Sequence, residues 1–238
     1  MDLKKLFSGV LLAVGIGCIG ISEATAGVLV TATLTADNHY GLFYGNEDGS
    51  ELNFVGRNEL GYYSDGAGTF NWSEPETWTF TIDPEDYLYV VVWDDRSLDE
   101  AWLGQFETST EKTLLTNPDT WEYTVSLNPN PFIRQKSHKQ FEGDVPGAAE
   151  LYQEITNALW ARPLSRGIND GTSTVWARWR EEQNLQAVFE NIAEEAHFLN
   201  TTTRVQQFYT IFRTQFEIPD VRRNPFDEPR YGVYPRTC

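Results

Sequence analysis

Three groups of acidic and amide side chains follow stretches that the sequence predicts to be strands. They are Asp37-Asn38, Asn46-Glu47-Asp48 and Asp94-Asp95. Carboxylate and amide oxygens are the ligands that Ca²⁺ prefers in proteins. A calcium site is therefore one prediction, with Asp37, Asn38, Asp94 and Asp95 as its ligands. Turn formation is the alternative, because Asp and Asn also stabilise turns and none of the groups contains a complete calcium-loop motif.

Aromatic side chains are abundant, with 8 Trp, 11 Tyr and 14 Phe in the chain. Such side chains offer a flat apolar face and, in Tyr and Trp, a polar tip, which suits them to stack against sugar rings. The candidates for a ligand-binding surface are His39, Tyr40, Tyr62, Tyr63, Trp72 and Trp102. Tyr62, Tyr63 and Trp72 are favoured, because their stretch is polar and glycine-rich and loops often carry function. Packing in the core is the alternative.

Catalytic motifs are not recognisable in the sequence. The three histidines, His39, His138 and His197, have no His-x-x-x-His spacing, and the chain has no Cys-x-x-Cys pair and no Gly-x-Ser-x-Gly sequence. A pair of carboxylates of the glycosidase type can be proposed in any chain this acidic, so the large number of Asp and Glu residues is only weak evidence for such a pair. We therefore predict a protein that is not an enzyme.

Strict alternation of apolar and polar side chains predicts strands around a turn at residues 83–86. Trp78, Phe80 and Ile82 alternate with threonines, which is the pattern of a half-buried strand. Residues 87–93 are apolar on both faces and indicate a central strand. Further strands are predicted at 28–35, 40–44, 52–55, 101–106, 121–126 and 208–216. Short strands separated by turns indicate a mainly β protein with an antiparallel β-sandwich.

Two stretches with helical spacing interrupt the series of strands. The first covers residues 148–159, and the second runs from Trp176 to Ala196 with its apolar side chains on one stripe. Residues 167–171 between them predict a loop. We expect an inserted helical segment at about residues 144–197 that packs against the sheet.

The first 26 residues have the features of a secretory signal peptide. Lys4-Lys5 precede an apolar run at residues 6–21, and Ala24-Thr25-Ala26 forms a cleavage sequence. The alternatives are a membrane anchor and a lipid attached at Cys18. After cleavage we expect a secreted, extracellular or periplasmic protein without membrane contact. Cys238 would then be the single cysteine, which excludes an internal disulfide and makes a dimer through Cys238 an expectation.

Negative charge is concentrated in the first half of the chain. The formal net charge is −17, and residues 27–130 contain 19 acidic and three basic side chains, against 14 and 13 in residues 131–238. So negative a surface repels nucleic acid and anionic lipid, which are excluded as expected partners. It favours divalent cations, cationic surfaces or solubility in saline surroundings.

Several motifs resemble a known family. Residues 35–45 (TADNHYGLFYG) look like the start of secreted bacterial galactose-binding-like domains, and residues 86–95 and 102–106 resemble that family's central strand and the glycine-containing strand after it. Residues 209–214 are similar to the end of PEP-CTERM-type extracellular proteins, although the Pro-Glu-Pro motif, the final transmembrane helix and the basic cluster are missing. The resemblance implies a secreted jelly-roll module with a binding or structural role.

The sequence thus predicts a signal peptide (1–26), a β-sandwich domain (27–218) with a helical insert, and a mobile tail (219–238). The predicted function is non-catalytic binding of carbohydrate or of an extracellular matrix polymer, with Ca²⁺ as a candidate cofactor. Two alternatives remain open at this point. One is a structural component of an extracellular layer, and the other is a secreted glycoside hydrolase that uses a carboxylate pair.

Overall fold

A computed structural model describes residues 27–58, 61–62, 72–94, 101–131, 144–172, 175–182, 185–201 and 207–216. Only the backbone is described for residues 61–62, 72–73, 175 and 179. The predicted signal peptide and tail, Cys238, Tyr63 and Asp95 lie outside the described residues.

The described chain contains thirteen strands and two helices. The strands are β1 (Val28–Asp37), β2 (His39–Gly45), β3 (Leu52–Arg57), β4 (Gly61–Tyr62), β5 (Trp72–Ser73), β6 (Glu76–Ile82), β7 (Tyr87–Trp93), β8 (Ala101–Thr108), β9 (Thr113–Leu115), β10 (Glu122–Pro129), β11 (Leu164–Ile168), β12 (His197–Asn200) and β13 (Phe208–Gln215). The helices are α1 (Ala148–Thr156) and α2 (Val175–Glu182).

Eleven of the strands form two antiparallel sheets, and β4 and β5 pair separately. The first sheet has the order β11-β12-β8-β1-β6, with β9 also paired to β8. The second sheet has the order β10-β13-β7-β2-β3. The prediction of a mainly β, antiparallel sandwich is confirmed at this level.

The main core lies between the two sheets. Val30, Ala32 and Leu34 of β1 are fully buried and share one cluster with Leu88 and Val90 of β7. The alternation predicted for β6 is confirmed, because its three threonines are exposed while Trp78 and Phe80 pack against this core. Burial on both faces is likewise confirmed for β7, since its other side chains enter a second apolar cluster.

Two outer layers cover the sandwich. On the second sheet, Leu151 and Ile155 of α1 pack with Tyr89, Val91 and Ile211. On the first sheet, the cover consists of Trp176 of α2 and of Phe189, Ile192 and Ala196, which pack with Leu103. Neither of the described helices has the length and apolar character that crossing a bilayer requires.

The prediction of a second helix that reaches Ala196 is wrong. The helix ends at Glu182, and the described residues from 185 to 196 form turns before β12. The buried amide of Asn169 fixes these turns: its Nδ2 donates to the carbonyls of Phe189 and Ile192 at 3.0 and 2.8 Å, and its Oδ1 accepts from the Phe189 N–H. Backbone groups that bond to a tertiary partner do not need a helix. The predicted loop at 167–171 also begins inside a strand, β11.

Candidate functional site

A tight acidic turn after β2 forms one wall of the candidate site. The amide of Asn46 donates to Ser50 Oγ at 2.8 Å and accepts from the Glu51 N–H at 3.0 Å. Asp48 Oδ1 accepts from the Ser50 N–H at 2.9 Å. Gly49 has φ of 72°, a left-handed conformation that side chains other than glycine adopt with strain. Glu47 and Asp48 are therefore held at the tip of a rigid turn.

The carboxyl end of α1 forms the opposite wall. Ile155 packs directly on Gly49, where an added Cβ would meet its Cδ1 at 2.9 Å. Thr156 Oγ1 lies 3.5 Å from the carbonyl oxygen of Asp48. The chain then leaves the helix, and Trp160 turns back to pack on the apolar cluster of the second sheet while remaining partly exposed. The next residue but one, Arg162, donates to the carbonyls of Asp119 and Trp121.

Arg213 of β13 forms the floor of the site. Its Nε donates to Glu122 Oε1 at 2.6 Å, and its Nη1 donates to the carbonyl of Glu47 at 3.0 Å. The guanidinium lies 3.9 Å from the ring centre of Trp160 and 5.0 Å from that of Tyr87, which are cation–π distances. The arginine thus links the acidic turn to the aromatic ring.

The acidic turn, the end of α1 and Arg213 border an open groove of about 540 Å³. This volume is within the range of small-molecule sites. Its lining consists of Asn46, Glu47, Asp48, Ile155, Thr156, Ala158, Trp160 and Arg213. The lining combines a flat aromatic side chain with carboxylate, amide and hydroxyl groups. Such a set can stack against a ring and form hydrogen bonds around its rim.

The surroundings of the groove shift the pKa of three side chains. Hydrogen bonds from Ser50 lower the pKa of the Asp48 carboxyl, so that it is ionised over a wider pH range. Burial and the nearby charge of Glu47 raise the pKa of the Tyr87 phenol. Burial likewise raises the pKa of the Tyr89 phenol, which stays protonated and donates to the carbonyls of Asn46 and Glu47. The two tyrosines are therefore neutral supports of the acidic turn.

Comparison of the chain with protein-family models, with curated proteins and with solved structures found no match.

Three of the predicted sugar-stacking residues lie in the interior. His39 and Tyr40 are fully buried and Trp102 is 1 % exposed. His39 stacks on Trp93 with ring centres 5.4 Å apart, and Trp102 packs edge-on against Trp121 at 4.7 Å. The ring faces of these three are covered by protein, so their role in binding stays a prediction that the described geometry does not favour.

Of the favoured sugar-binding residues Tyr62, Tyr63 and Trp72, the structure describes only the backbones of Tyr62 and Trp72. The backbones of Tyr62 and Trp72 pair between β4 and β5, so the predicted irregular loop contains a short two-stranded sheet. The side chains of these two residues, and Tyr63 altogether, are outside the described part. Their role in binding stays a prediction.

The described members of the predicted calcium set are also buried. Asp37, Asn38 and Asp94 are 6, 2 and 4 % exposed. Asp37 Oδ2 accepts from Trp176 Nε1 at 3.1 Å, and Asp94 Oδ1 lies 3.4 Å from Asn130 Nδ2. Within the described ranges, no three His, Cys, Asp or Glu residues are grouped so that they could hold an ion. The calcium site stays a prediction that the described geometry does not favour.

Two smaller cavities near these residues hold about 10 Å³ each, which is room for about one water molecule. One is lined by Asp37 and Trp176 and the other by Asp94 and Asn200. Neither can take a sugar ring. Of these three cavities in the described part of the chain, the open groove is the one in which a ligand of that size fits.

Sequence reasoning missed Trp160 and Arg213. Trp160 lies four residues after the end of an amphipathic helix, and an aromatic residue in such a connection is a signal for recognition. Arg213 is the one charged residue of β13, and a charge in a largely buried strand indicates a specific partner. Neither signal shows that the two residues meet, because that contact depends on the path of the chain.

Proposed function

We propose that this protein is a secreted, non-catalytic module that binds carbohydrate or an extracellular polymer. The observation that carries the proposal is the open groove between the acidic turn and α1, with Trp160 partly exposed in its wall. Aromatic side chains with one free face and polar neighbours are the usual means of holding a sugar ring. The jelly-roll, galactose-binding-like type belongs to the same proposal, as does export by the predicted signal peptide.

The lining of the groove favours binding over hydrolysis. Its titratable residues are two carboxylates on one turn and an arginine. A glycosidase needs two carboxyl groups that flank the bond to be cleaved, whereas Glu47 and Asp48 are adjacent in sequence on one wall. Ser165 Oγ and His197 Nδ1 are 2.8 Å apart on β11 and β12, but neither residue lines the groove or the two smaller cavities.

The test is a binding assay against an array of polysaccharides and oligosaccharides. Trp160→Ala is expected to weaken binding about tenfold or more, because an aromatic anchor at the centre of a site carries much of the binding energy. Leu159→Ala is the matched control: Leu159 is 90 % exposed and does not line the groove. If Trp160→Ala binds as well as the control, the groove is not the site, and Tyr62→Ala and Trp72→Ala become the decisive variants.

Calcium dependence is a separate part of the test. A specific calcium site would stabilise the folded protein by mass action, so the melting temperature would rise with millimolar CaCl₂ and then saturate. An unchanged melting temperature would remove Ca²⁺ from the proposal and leave the binding of polymer intact.

A further inference from the structure

The positive charge of Arg213 is compensated within the protein. Glu122 contacts its Nε at 2.6 Å, and the rings of Tyr87 and Trp160 cover its faces. Only 11 % of the arginine side chain is exposed, against 32 % for Glu122. A ligand in the groove therefore meets an arginine whose charge is already paired, and an incoming anion would gain little from it.

Glu47 and Asp48 are not compensated in this way. Neither forms an ion pair with another described residue. The Asp48 carboxylate accepts from the Ser50 N–H, and the Glu47 carboxylate is hydrogen-bonded to the phenol of Tyr87, which carries no positive charge. The groove lining thus presents two carboxylates and no unpaired cation among its described residues. In a concave site of this kind, the field of like charges is focused on the ligand.

More carboxylates lie at the same end of the second sheet. Gly45 at the end of β2 pairs with Tyr87 at the start of β7, so the β6–β7 turn with Asp83, Glu85 and Asp86 lies beside the acidic turn and Glu51. Burial is the main cause that raises the pKa of Asp86, and the charges of Asp83, Glu51 and Glu85 raise it further. These four acids do not line the groove, but their charges add to the negative field at this end of the sheet.

We propose that the ligand of the groove is a cationic amino-sugar polymer, whose protonated amines pair with Glu47 and Asp48 while a sugar ring stacks on Trp160. The inference rests on the proposed function, and it adds the chemical class of the polymer. Charge complementarity selects the cation, and the aromatic ring selects a sugar over a flexible amine chain. Asn46 and Thr156 can bond the remaining hydroxyls.

The experiment compares ligands of equal length by calorimetric titration at a pH that keeps amines protonated. They are a β-linked glucosamine oligomer, its N-acetylated form, a neutral glucose oligomer and a lysine oligomer. The glucosamine oligomer is expected to bind about tenfold or more tightly than the acetylated and neutral ones, and to lose affinity when salt is raised from about 50 mM to about 500 mM, as expected for charge pairing.

Two variants test the residues. The double variant Glu47→Gln with Asp48→Asn should lose about tenfold in affinity for the glucosamine oligomer, while its side chains keep the size and the turn bond to Ser50. Glu195→Gln, which removes an exposed carboxylate from the cover of the opposite sheet, should bind as the parent protein does. Trp160→Phe keeps an aromatic ring if Trp160→Ala fails to fold.

The outcomes separate the two proposals. Equal binding of glucosamine, acetylated and neutral oligomers would overturn the cationic ligand and leave the proposed function standing. Failure of every sugar to bind would overturn both. A lysine oligomer that binds as tightly as the glucosamine oligomer, and whose binding is insensitive to Trp160→Ala, would show a cationic peptide site in place of an amino-sugar site.

Discussion

Glu154 is a buried carboxylate that accepts hydrogen bonds from the backbone of β10. Only 7 % of the residue is exposed, and its oxygens accept hydrogen bonds from the backbone N–H groups of Leu127 and Asn128 and from Asn128 Nδ2. These donors lie where the pairing of β10 with β13 shifts register. A strand that loses ladder bonds at a bulge regains them here from a helix.

We predict that Glu154→Ala lowers the free energy of unfolding by about 1–3 kcal/mol, because donors in a part-buried site lose their acceptor. Glu154→Gln should cost less, since one oxygen remains to accept. Urea denaturation followed by circular dichroism measures both. Gln153→Ala on the exposed face of the same helix is the control, and a loss as large as that of Glu154→Ala would contradict this role.

Asp86 gives a prediction about pH. Its pKa is raised above the ordinary 3.8, first by burial, so the folded state binds the proton more tightly than the unfolded state. The stabilisation from protonated Asp86 is complete below about pH 3.8 and is lost as the pH rises through the raised pKa. Asp86→Asn keeps an oxygen that can accept from the Asp83 N–H.

Asp86→Asn should therefore melt at a higher temperature than the parent at pH 7, and the advantage should vanish below about pH 3.8 and shrink in high salt. Melting curves across this pH range check it. Glu107→Gln, on an exposed position of β8, provides the comparison for simple loss of a negative charge. An equal gain in both variants would assign the effect to net charge alone.

At the scale of the elements, the two sheets are in contact where Gly56 of β3 meets Trp78 of β6. A Cβ added to Gly56 would lie 2.5 Å from ring atom Cζ3 of Trp78. The same indole donates from Nε1 to Tyr40 Oη at 2.9 Å, which joins β6 to β2 of the other sheet. Because Gly56 has no side chain, the Trp78 ring has room to lie between the sheets.

We predict that Gly56→Ala destabilises the protein by about 1–3 kcal/mol through overpacking. Chemical denaturation with tryptophan fluorescence as the probe measures the change. Gly147→Ser is the matched control, because nothing lies within 4 Å of a Cβ there and residue 147 is the N-cap of α1. It should be neutral or gain a few tenths of a kcal/mol. Similar losses in both variants would contradict this packing argument.

The elements also show which features can be predicted from sequence. The alternation of β6 and the apolar run of β7 are local patterns, and the structure confirms both. The stripe from Trp176 to Ala196 is a local pattern too, but Asn169 supplies the backbone partners that a helix would have supplied. The groove could not be predicted, because Glu47, Trp160 and Arg213 are distant in sequence and meet only through the order of the strands.

At the scale of the whole molecule, charge is the dominant surface property. The net charge of −17 implies self-repulsion in the compact state, which salt screens. We predict that the melting temperature rises as NaCl is raised from about 10 mM to about 500 mM. KCl at equal ionic strength is the control for ion-specific binding, and a flat or falling curve in both salts would contradict the prediction.

The path of the chain has a further consequence, which concerns the order in which the fold can be completed during synthesis. The last described strand, β13, lies between β10 and β7 in the interior of the second sheet. A nascent chain that has emerged only as far as β12 has two strands whose hydrogen-bonding edges await a neighbour, and such edges invite pairing with other chains. Completion of this sheet must therefore wait until translation has passed residue 215, and copies that terminate before that point would be prone to aggregate.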